Sequence, residues 1–506
     1  MDESTSPMKL SQNKNPFPQS APGAKAAIGH VLDNGIPLSI FPISTSKLCI
    51  CICGLPARGK THIARRVARY LEFFHAVPVA MFDAAEYRRK MGFIRIPNLN
   101  CPEDNEMRRN TYSQALNDLE IFLSANENGV GILDASLTTH ELRTMVKTRA
   151  QQIGCKIIFI EVINNDPDFL RDQIKLTANS SPDYAEITLT EEAESDYQYR
   201  VSTYQNQYTP LSETHPVESK WSFVKCDYYT KTFTLHNIRG HLPLKISNFV
   251  MNLRVTSHPF YLSRHGQSEY NVVGRIGGDS GLTDHGINYA RKLAQYVEYE
   301  LKRDANGQSV PARLWTSTMK RTIETAQFIQ HETILVRDEV DDTIEHKWVQ
   351  MRGRQWFLLD EIFAGACDGM TYAEIEEIYP EEAQLRKHDK LAYRYPRGES
   401  YLDVIARLEP LIIELERHRE PVLIIGHQGI LRIIYAFYTG LKRAEAPYVS
   451  IPLNTVIKLV PSAHDVFVER RTLYRPTIKL PNDGQDEVPE DQRPLDTSVL
   501  LDPPSH

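Results

Sequence analysis

The sequence predicts two consecutive α/β domains, each built on a parallel sheet flanked by helices, and three observations carry that expectation. Its 506 residues are too many for one module at roughly 150 residues per domain. Short apolar and β-branched runs alternate with stretches of helical period, as crossover-connected parallel strands require. Each half also ends an apolar strand in residues suited to ligand chemistry, Gly54-Leu-Pro-Ala-Arg-Gly-Lys-Thr61 in the first and Arg264-His265-Gly266 in the second.

Taken in order, residues up to about Ser46 are rich in Ser, Pro, Asn, Lys and Gly without periodicity, so 1–46 is expected to be disordered. Leu48–Cys53 is a strand, and its cysteines at 49, 51 and 53 recur with period two. That spacing reads as one face of a buried strand with cysteine as a small hydrophobe, in preference to a metal site. Ala64–Phe74 is a helix, and Gly131–Leu133 and Lys156–Val162 are strands. A second series opens with Pro259–Ser263 and closes with Val422–Ile425. The two series meet near Val255, giving segments 47–254 and 255–475, and no internal repeat relates them. An acidic tail with five prolines from Pro481 onward makes 476–506 a second disordered end.

Composition narrows the function classes. With 24% charged and 41% hydrophobic residues the chain is an ordinary soluble protein. Its 58 basic and 65 acidic residues leave a net charge of −7, which suits neither a nucleic-acid coat nor a polybasic membrane patch. No run approaches the length of a membrane span and Met1–Ser20 has no apolar centre, so a cytosolic location is expected. Seven cysteines, an odd number spread widely, argue for reduced thiols.

The first motif fits G-x-x-x-x-G-K-[ST], placed after a strand and before a helix as its mechanism demands. Gly54 and Gly59 allow consecutive backbone N–H groups to wrap phosphate oxygens, Lys60 reaches the β- and γ-phosphates, and the Thr61 hydroxyl ligates Mg²⁺. Asp134, ending Gly131-Ile-Leu-Asp, suits a second acidic partner of Mg²⁺, or equally a turn cap. In the second half, His265 and His427 both end apolar strands, at the edge where open sheets carry their sites. Arg264, Asn271, the glycine-dense loop Gly274–Gly281 that includes Gly277, and Arg321 surround them in the sequence. An imidazole can attack phosphorus to form a phosphohistidine while guanidinium forks and a second imidazole hold the equatorial oxygens. Glu361 is the candidate acid for the leaving oxygen, and a surface glutamate would look the same.

The phrases GLPARGKT, LSRHGQSEYN, GRIGGDSGL, WTSTMKRTIETA, MTYAEI, YRYPRGESY and GHQGILR together resemble the bifunctional 6-phosphofructo-2-kinase/fructose-2,6-bisphosphatase family, from about residue 47 to about residue 470. The resemblance implies a P-loop kinase domain followed by a histidine-phosphatase, phosphoglycerate-mutase-like domain, which make and destroy fructose 2,6-bisphosphate. It implies His265 as the phosphorylated nucleophile, Glu361 as acid and base, and Arg264, Asn271, Arg321 and His427 around the 2-phosphate. Tyr372, Arg386, Lys390, Gln428 and Arg432 match positions that hold the 6-phosphate end and the sugar. In the kinase half Arg88, Arg89, Arg108, Arg200 and Tyr204 match fructose 6-phosphate positions, with Ser136 beside Asp134. ATP and Mg²⁺ are the implied cofactors there, none is implied for the phosphatase, and a homodimer is compatible with the family.

In the phosphatase half Gln267 stands where the family usually has Glu, and four departures mark the kinase half. Leu137 replaces an amide, Leu142 an arginine and Asn164 a cysteine, and an ungapped match places Ala178 where the family has a catalytic lysine, with Lys175 three residues away. They predict an active phosphatase with a weak or inactive kinase half. Lys60, Thr61 and Asp134 keep a fully bifunctional enzyme open, and a nucleotide-binding regulatory module or a broader sugar phosphatase are the other readings. A charged insertion of roughly twenty residues around Arg337–Trp356 is expected to be a surface loop.

Overall fold

The computed structural model describes residues 47–93, 102–185, 190–254, 258–304, 306–337, 344–461 and 466–475. Both tails and the junction at Val255 lie outside them.

β1 (Leu48–Cys53) is buried at every position, which places it inside a sheet. Its neighbours are β3 (Val130–Asp134) on one side and β4 (Lys156–Ile163) on the other, both parallel. With β2 (Val79–Asp83), β5 (Phe223–Asp227) and β6 (Thr232–His236) the order is β2-β3-β1-β4-β5-β6, and only β6 runs antiparallel. The three cysteines of β1 lie in an apolar cluster with Phe82, Leu119 and Phe159, and burial raises the Cys51 and Cys53 thiols, so the core reading describes them. The helix expected at Ala64–Phe74 runs Lys60–His75, beginning inside the phosphate motif.

The second sheet has the order β11-β8-β12-β7-β13-β14. Here β7 is Phe260–Arg264, β8 Arg313–Thr316, β11 Gly353–Gln355 and β12 Val422–Gly426, all parallel, while β13 (Thr455–Pro461) pairs antiparallel with β7 and β14 (Val466–Thr472) pairs antiparallel with β13. β7 and β12 are adjacent, which brings their C-terminal ends, and with them His265 and His427, to one edge.

Among its described residues the insertion is largely sheet and not a surface loop. Thr333–Arg337 (β9) pairs antiparallel with Glu345–Val349 (β10), and the chain then returns to the sheet as β11. Gln350, fully buried, anchors the base of this ribbon by donating to Val310 O at 2.8 Å and Lys302 O at 3.1 Å. Charge along the segment hid the short apolar run Ile334-Leu-Val336, which with the β-branched Thr333 reads as a strand.

One apolar cluster spans both sheets. It runs from Ile50 and Ile52 through Val67 and Phe73 of the helix Lys60–His75 to Ile430, Ile433 and Phe437 of the helix Gln428–Tyr438. Arg69 donates from Nε to Phe437 O at 3.0 Å and from Nη2 to Ala436 O at 2.7 Å, satisfying carbonyls at the C-terminal end of that helix. Tyr70 donates to Glu409 at 2.5 Å, and Arg66 pairs with Glu416.

Candidate active sites

Gly54 has φ 124°, and a Cβ there would meet Val162 O at 2.5 Å. Only glycine lets the loop turn so close to β4. Gly59, at φ 82°, then opens the helix Lys60–His75. A cavity of about 480 Å³ lies at this helix start, lined by Gly59, Lys60, Thr61, Asp134, Ser136, Arg88, Arg89, Arg108, Arg200 and Tyr204 among others. The sequence reading names all of these, and Gly54 shapes the loop from behind. Thr61 Oγ1 donates to Asp134 Oδ2 at 2.5 Å. Burial, with Asp83 beside it, raises the Asp134 carboxyl to about 6, and burial lowers Lys60 to about 8 against the pull of Asp134. A hydroxyl, two carboxylates and an amine under a helix N-terminus are the donor set that a divalent cation and a triphosphate need, so the residues fit Mg-ATP.

Across the cavity Asp183 gathers three guanidiniums: Arg88, Arg89 at 3.1 Å and Arg200 at 3.1 Å. Asp83 and Asp183 were both missed in the sequence. Asp183 was findable, since it stands in Ser-Pro-Asp-Tyr and a cluster of buried arginines requires an anion.

In the second half, His265 Nδ1 lies 2.7 Å from Gly266 O, so Nδ1–H donates and Nε2 keeps its lone pair. Gly266 itself packs on Gly286, where a Cβ would come within 2.6 Å of a carbonyl oxygen. Burial and the neighbouring Arg321 and Arg264 hold the His265 imidazole well below its ordinary 6.5, hence neutral. His427 is pushed down likewise by burial, Arg321 and His265, and the two ring centres are 5.2 Å apart.

The cavity of about 140 Å³ in front of His265 is lined by Arg264, Asn271, Gly277, Arg321, Glu361, Tyr372, Arg386, Lys390, Gln428 and Arg432. His427 is the exception among the predicted residues, sitting fully buried behind Arg321. Its Nδ1 accepts from Arg321 Nε at 3.2 Å, and its Nε2 lies 2.7 Å from Ser317 Oγ. Gly277, at φ 68°, leaves room for Asp368, whose carboxylate a Cβ would strike. Glu361 accepts from Ile362 N at 2.9 Å and Gly429 N at 3.3 Å, so it is held against the N-terminus of the helix Gln428–Tyr438. Elsewhere on the cavity wall Arg386 donates to Tyr372 OH at 3.0 Å, and Arg432 donates to Val449 O at 2.7 Å. Arg275, Tyr395 and Tyr401 also line this cavity and Ser317 stands behind it on His427; the sequence reading named none of them, because isolated residues give no spacing pattern to read.

Residues 39–257 match the family model described as 6-phosphofructo-2-kinase, and residues 260–472 match the histidine phosphatase superfamily, branch 1. A 6-phosphofructo-2-kinase/fructose-2,6-bisphosphatase 1 from Mus musculus is 38% identical over 91% of this chain and 92% of its own length. This chain belongs to the 6-phosphofructo-2-kinase/fructose-2,6-bisphosphatase family. A family member from Aquarana catesbeiana is 36% identical over 92% of this chain and 91% of its own. Among solved structures, the alpha-ribazole phosphatase of Shigella flexneri aligns with 43% of this chain and 96% of its own at 20% identity and a TM-score of 0.34.

Family membership gives the departures in the kinase half their meaning, and the structure separates them. Leu137 (φ 35°) and Leu142 are buried in the apolar cluster behind β1 and do not line the cavity. As leucines, both add to the core and not to the cavity wall. Asn164 accepts from Asp166 N at 3.1 Å and also lies off this cavity. Ala178 is different: it shares a small apolar cluster with Ala57 of the phosphate loop, and its neighbour Thr177 is on the cavity wall. Lys175 is exposed on the same helix, Pro167–Ser180, and outside the cavity lining.

Apart from both cavities, His140, His215 and Glu218 bring possible metal donors within 4.8 Å. Glu218 Oε1 is already taken by Arg143, at 2.8 Å from Nε and 2.7 Å from Nη2, so a buried guanidinium neutralises the carboxylate a cation would need.

Proposed function

We propose that this chain hydrolyses fructose 2,6-bisphosphate to fructose 6-phosphate and phosphate through a phosphohistidine at His265, and that its first half phosphorylates fructose 6-phosphate with Mg-ATP. The observation that carries the first part is the single free lone pair on a neutral, buried His265, in a cavity that it lines together with Glu361, Arg386 and Lys390.

In the first step His265 Nε2 attacks the phosphorus of the 2-phosphate, the bond from phosphorus to the sugar oxygen breaks, and Glu361 gives that oxygen its proton. Arg264 and Arg321 stabilise charge on the equatorial oxygens, with Asn271 as a further donor: its side-chain oxygen is committed to Ser268 N at 2.9 Å, which leaves its amide N–H groups for the phosphoryl group. In the second step Glu361 takes a proton from water as the water attacks phosphorus, and the nitrogen–phosphorus bond breaks. Arg386, Lys390 and Arg432, with Tyr372 and Gln428, serve the 6-phosphate and sugar, which explains why one small cavity holds so many cations.

For the first half, the family names back full bifunctionality over a silent nucleotide-binding module. Backbone N–H groups after Gly54, with Gly59, Lys60 and Thr61, would hold ATP, and Thr61 and Asp134 the Mg²⁺. Bound Mg-ATP supplies the phosphoryl group and neutralises its charge. Arg88, Arg89, Arg108, Arg200, Ser136 and Tyr204 would receive fructose 6-phosphate.

A second reading, a kinase of low rate, is favoured by one observation: the position of Ala178 has no cation, and Lys175 is outside the cavity. Single cations in such transfers are worth about 10³-fold or more. The test is synthesis of fructose 2,6-bisphosphate by the His265→Ala variant, which cannot destroy its product, beside a calorimetric titration with Mg-ATP. Robust synthesis indifferent to Lys175→Ala supports bifunctionality without that cation. Tight Mg-ATP binding with negligible synthesis establishes the second reading.

A further inference from the structure

The segment that carries Glu361 is held in an unusual way. Leu359 anchors its start in the core and Ile362 packs against that core, but Phe357 and Phe363 on either side are 68% and 52% exposed, so apolar burial holds the stretch from Asp360 to Phe363 only in part. Polar bonds do the rest. Arg407, on the helix Tyr401–Arg417, donates from Nη1 to Leu358 O at 2.9 Å and to Asp360 O at 3.0 Å, and from Nη2 to Asp360 O at 3.0 Å. The same Nη2 donates to Glu399 Oε2 at 3.0 Å, and that carboxylate oxygen accepts from Phe363 N at 3.0 Å. From the other side, Asp360 accepts from Thr318 N at 2.7 Å and Thr318 Oγ1 at 2.6 Å. The residues immediately before Glu361 and two after it are thus tied to one guanidinium and its partner carboxylate.

We infer that Arg407 is a positioning residue for the proton transfer at Glu361. Resting on the phosphatase reading above, this adds a residue that neither touches the cavity nor carries a proton. A guanidinium suits the task because its planar fork satisfies several converging carbonyls at once with a fixed geometry, and an ammonium on a flexible stem reaches fewer of them. Misplacement of a general acid by an ångström is costly in rate and leaves ground-state binding intact. The aspartate at 360 and Thr318 make the second tether, joining the acid's segment to the bend that leads into the helix Lys320–Ala326, which carries Arg321.

The test is a double-mutant cycle. Arg407→Gln in the otherwise native chain should lower kcat for fructose 2,6-bisphosphate by about tenfold or more with KM within about threefold, and Arg407→Lys should retain part of the rate. In a Glu361→Gln background, where no acid remains to be positioned, Arg407→Gln should cost little further. An equal cost in both backgrounds, or a raised KM with unchanged kcat, overturns the inference. If Arg407→Gln does not fold, Arg407→Lys takes its place in the same cycle. The cycle is run as well on an aryl phosphate whose leaving group needs no proton: there the Arg407 effect on phosphoenzyme formation should be small. A wild-type chain that turns over the aryl ester but rejects fructose 2,6-bisphosphate refutes the substrate assignment and leaves the positioning role to be decided by hydrolysis of an alkyl phosphate.

Discussion

His265 shows what a single side chain needs in order to act as a nucleophile. Its ring would be half protonated near pH 6.5 in water, and a protonated imidazole has no lone pair for phosphorus. Burial, the two adjacent guanidiniums and the Gly266 carbonyl together keep it neutral and choose which nitrogen is free. The sign follows directly: a depressed pKa means that the neutral form persists as pH falls through 6.5. Nitrogen NMR of the imidazoles should therefore show no titration of His265 from about pH 8 down to about pH 6, and a midpoint near the ordinary value would contradict the account. His427 shows the limit of reading a residue from its motif. Its place at a strand end is correct, yet it lies behind Arg321 and not on the cavity wall, because Ser317 and Arg321 take its two ring nitrogens. No spacing in the sequence distinguishes those two arrangements.

At the scale of elements, the helix Pro380–His388 and the residues after it place Arg386 and Lys390 on the wall of the phosphatase cavity. Replacing either with alanine should weaken fructose 2,6-bisphosphate by about 1.5–3 kcal/mol, and should weaken a substrate without the distal phosphate much less, because the lost contact is charge-assisted and needs its partner. Competition assays on the two substrates measure this, and equal losses would assign these cations to the reacting phosphate instead. The strands were legible because their sequences are continuous apolar runs: β1 lies at its expected limits, and β3, β4, β7 and β12 within a residue or so of theirs. The hairpin β9–β10 was not, since exposed strands carry charged residues at alternate positions and mimic a loop. The helix at Lys60 starts four residues earlier than its apolar periodicity, because the phosphate loop, and not side-chain burial, determines where it begins.

In the whole molecule the two halves are distinct in sheet and in chemistry, and the sequence made that division plain through two unrelated motifs. It did not reveal that one apolar cluster runs through both, or that the helix leading from the phosphate loop caps, through Arg69, the helix whose first turn holds Glu361. Such joins depend on residues hundreds of positions apart and have no local pattern. Nor could the sequence sort the kinase departures, which separate only in three dimensions: two leucines in the core, one alanine in a cluster with Ala57 of the phosphate loop. The central claim is chemical, that the 2-phosphate of fructose 2,6-bisphosphate passes through His265. It is tested most directly by mixing the protein with substrate labelled at that phosphate and quenching within one turnover. The account predicts acid-labile label on the wild-type chain and none on a folded His265→Ala variant, which also releases no phosphate. Undiminished phosphate release by the alanine variant, or label that stays on the chain when His265 is gone, would contradict it.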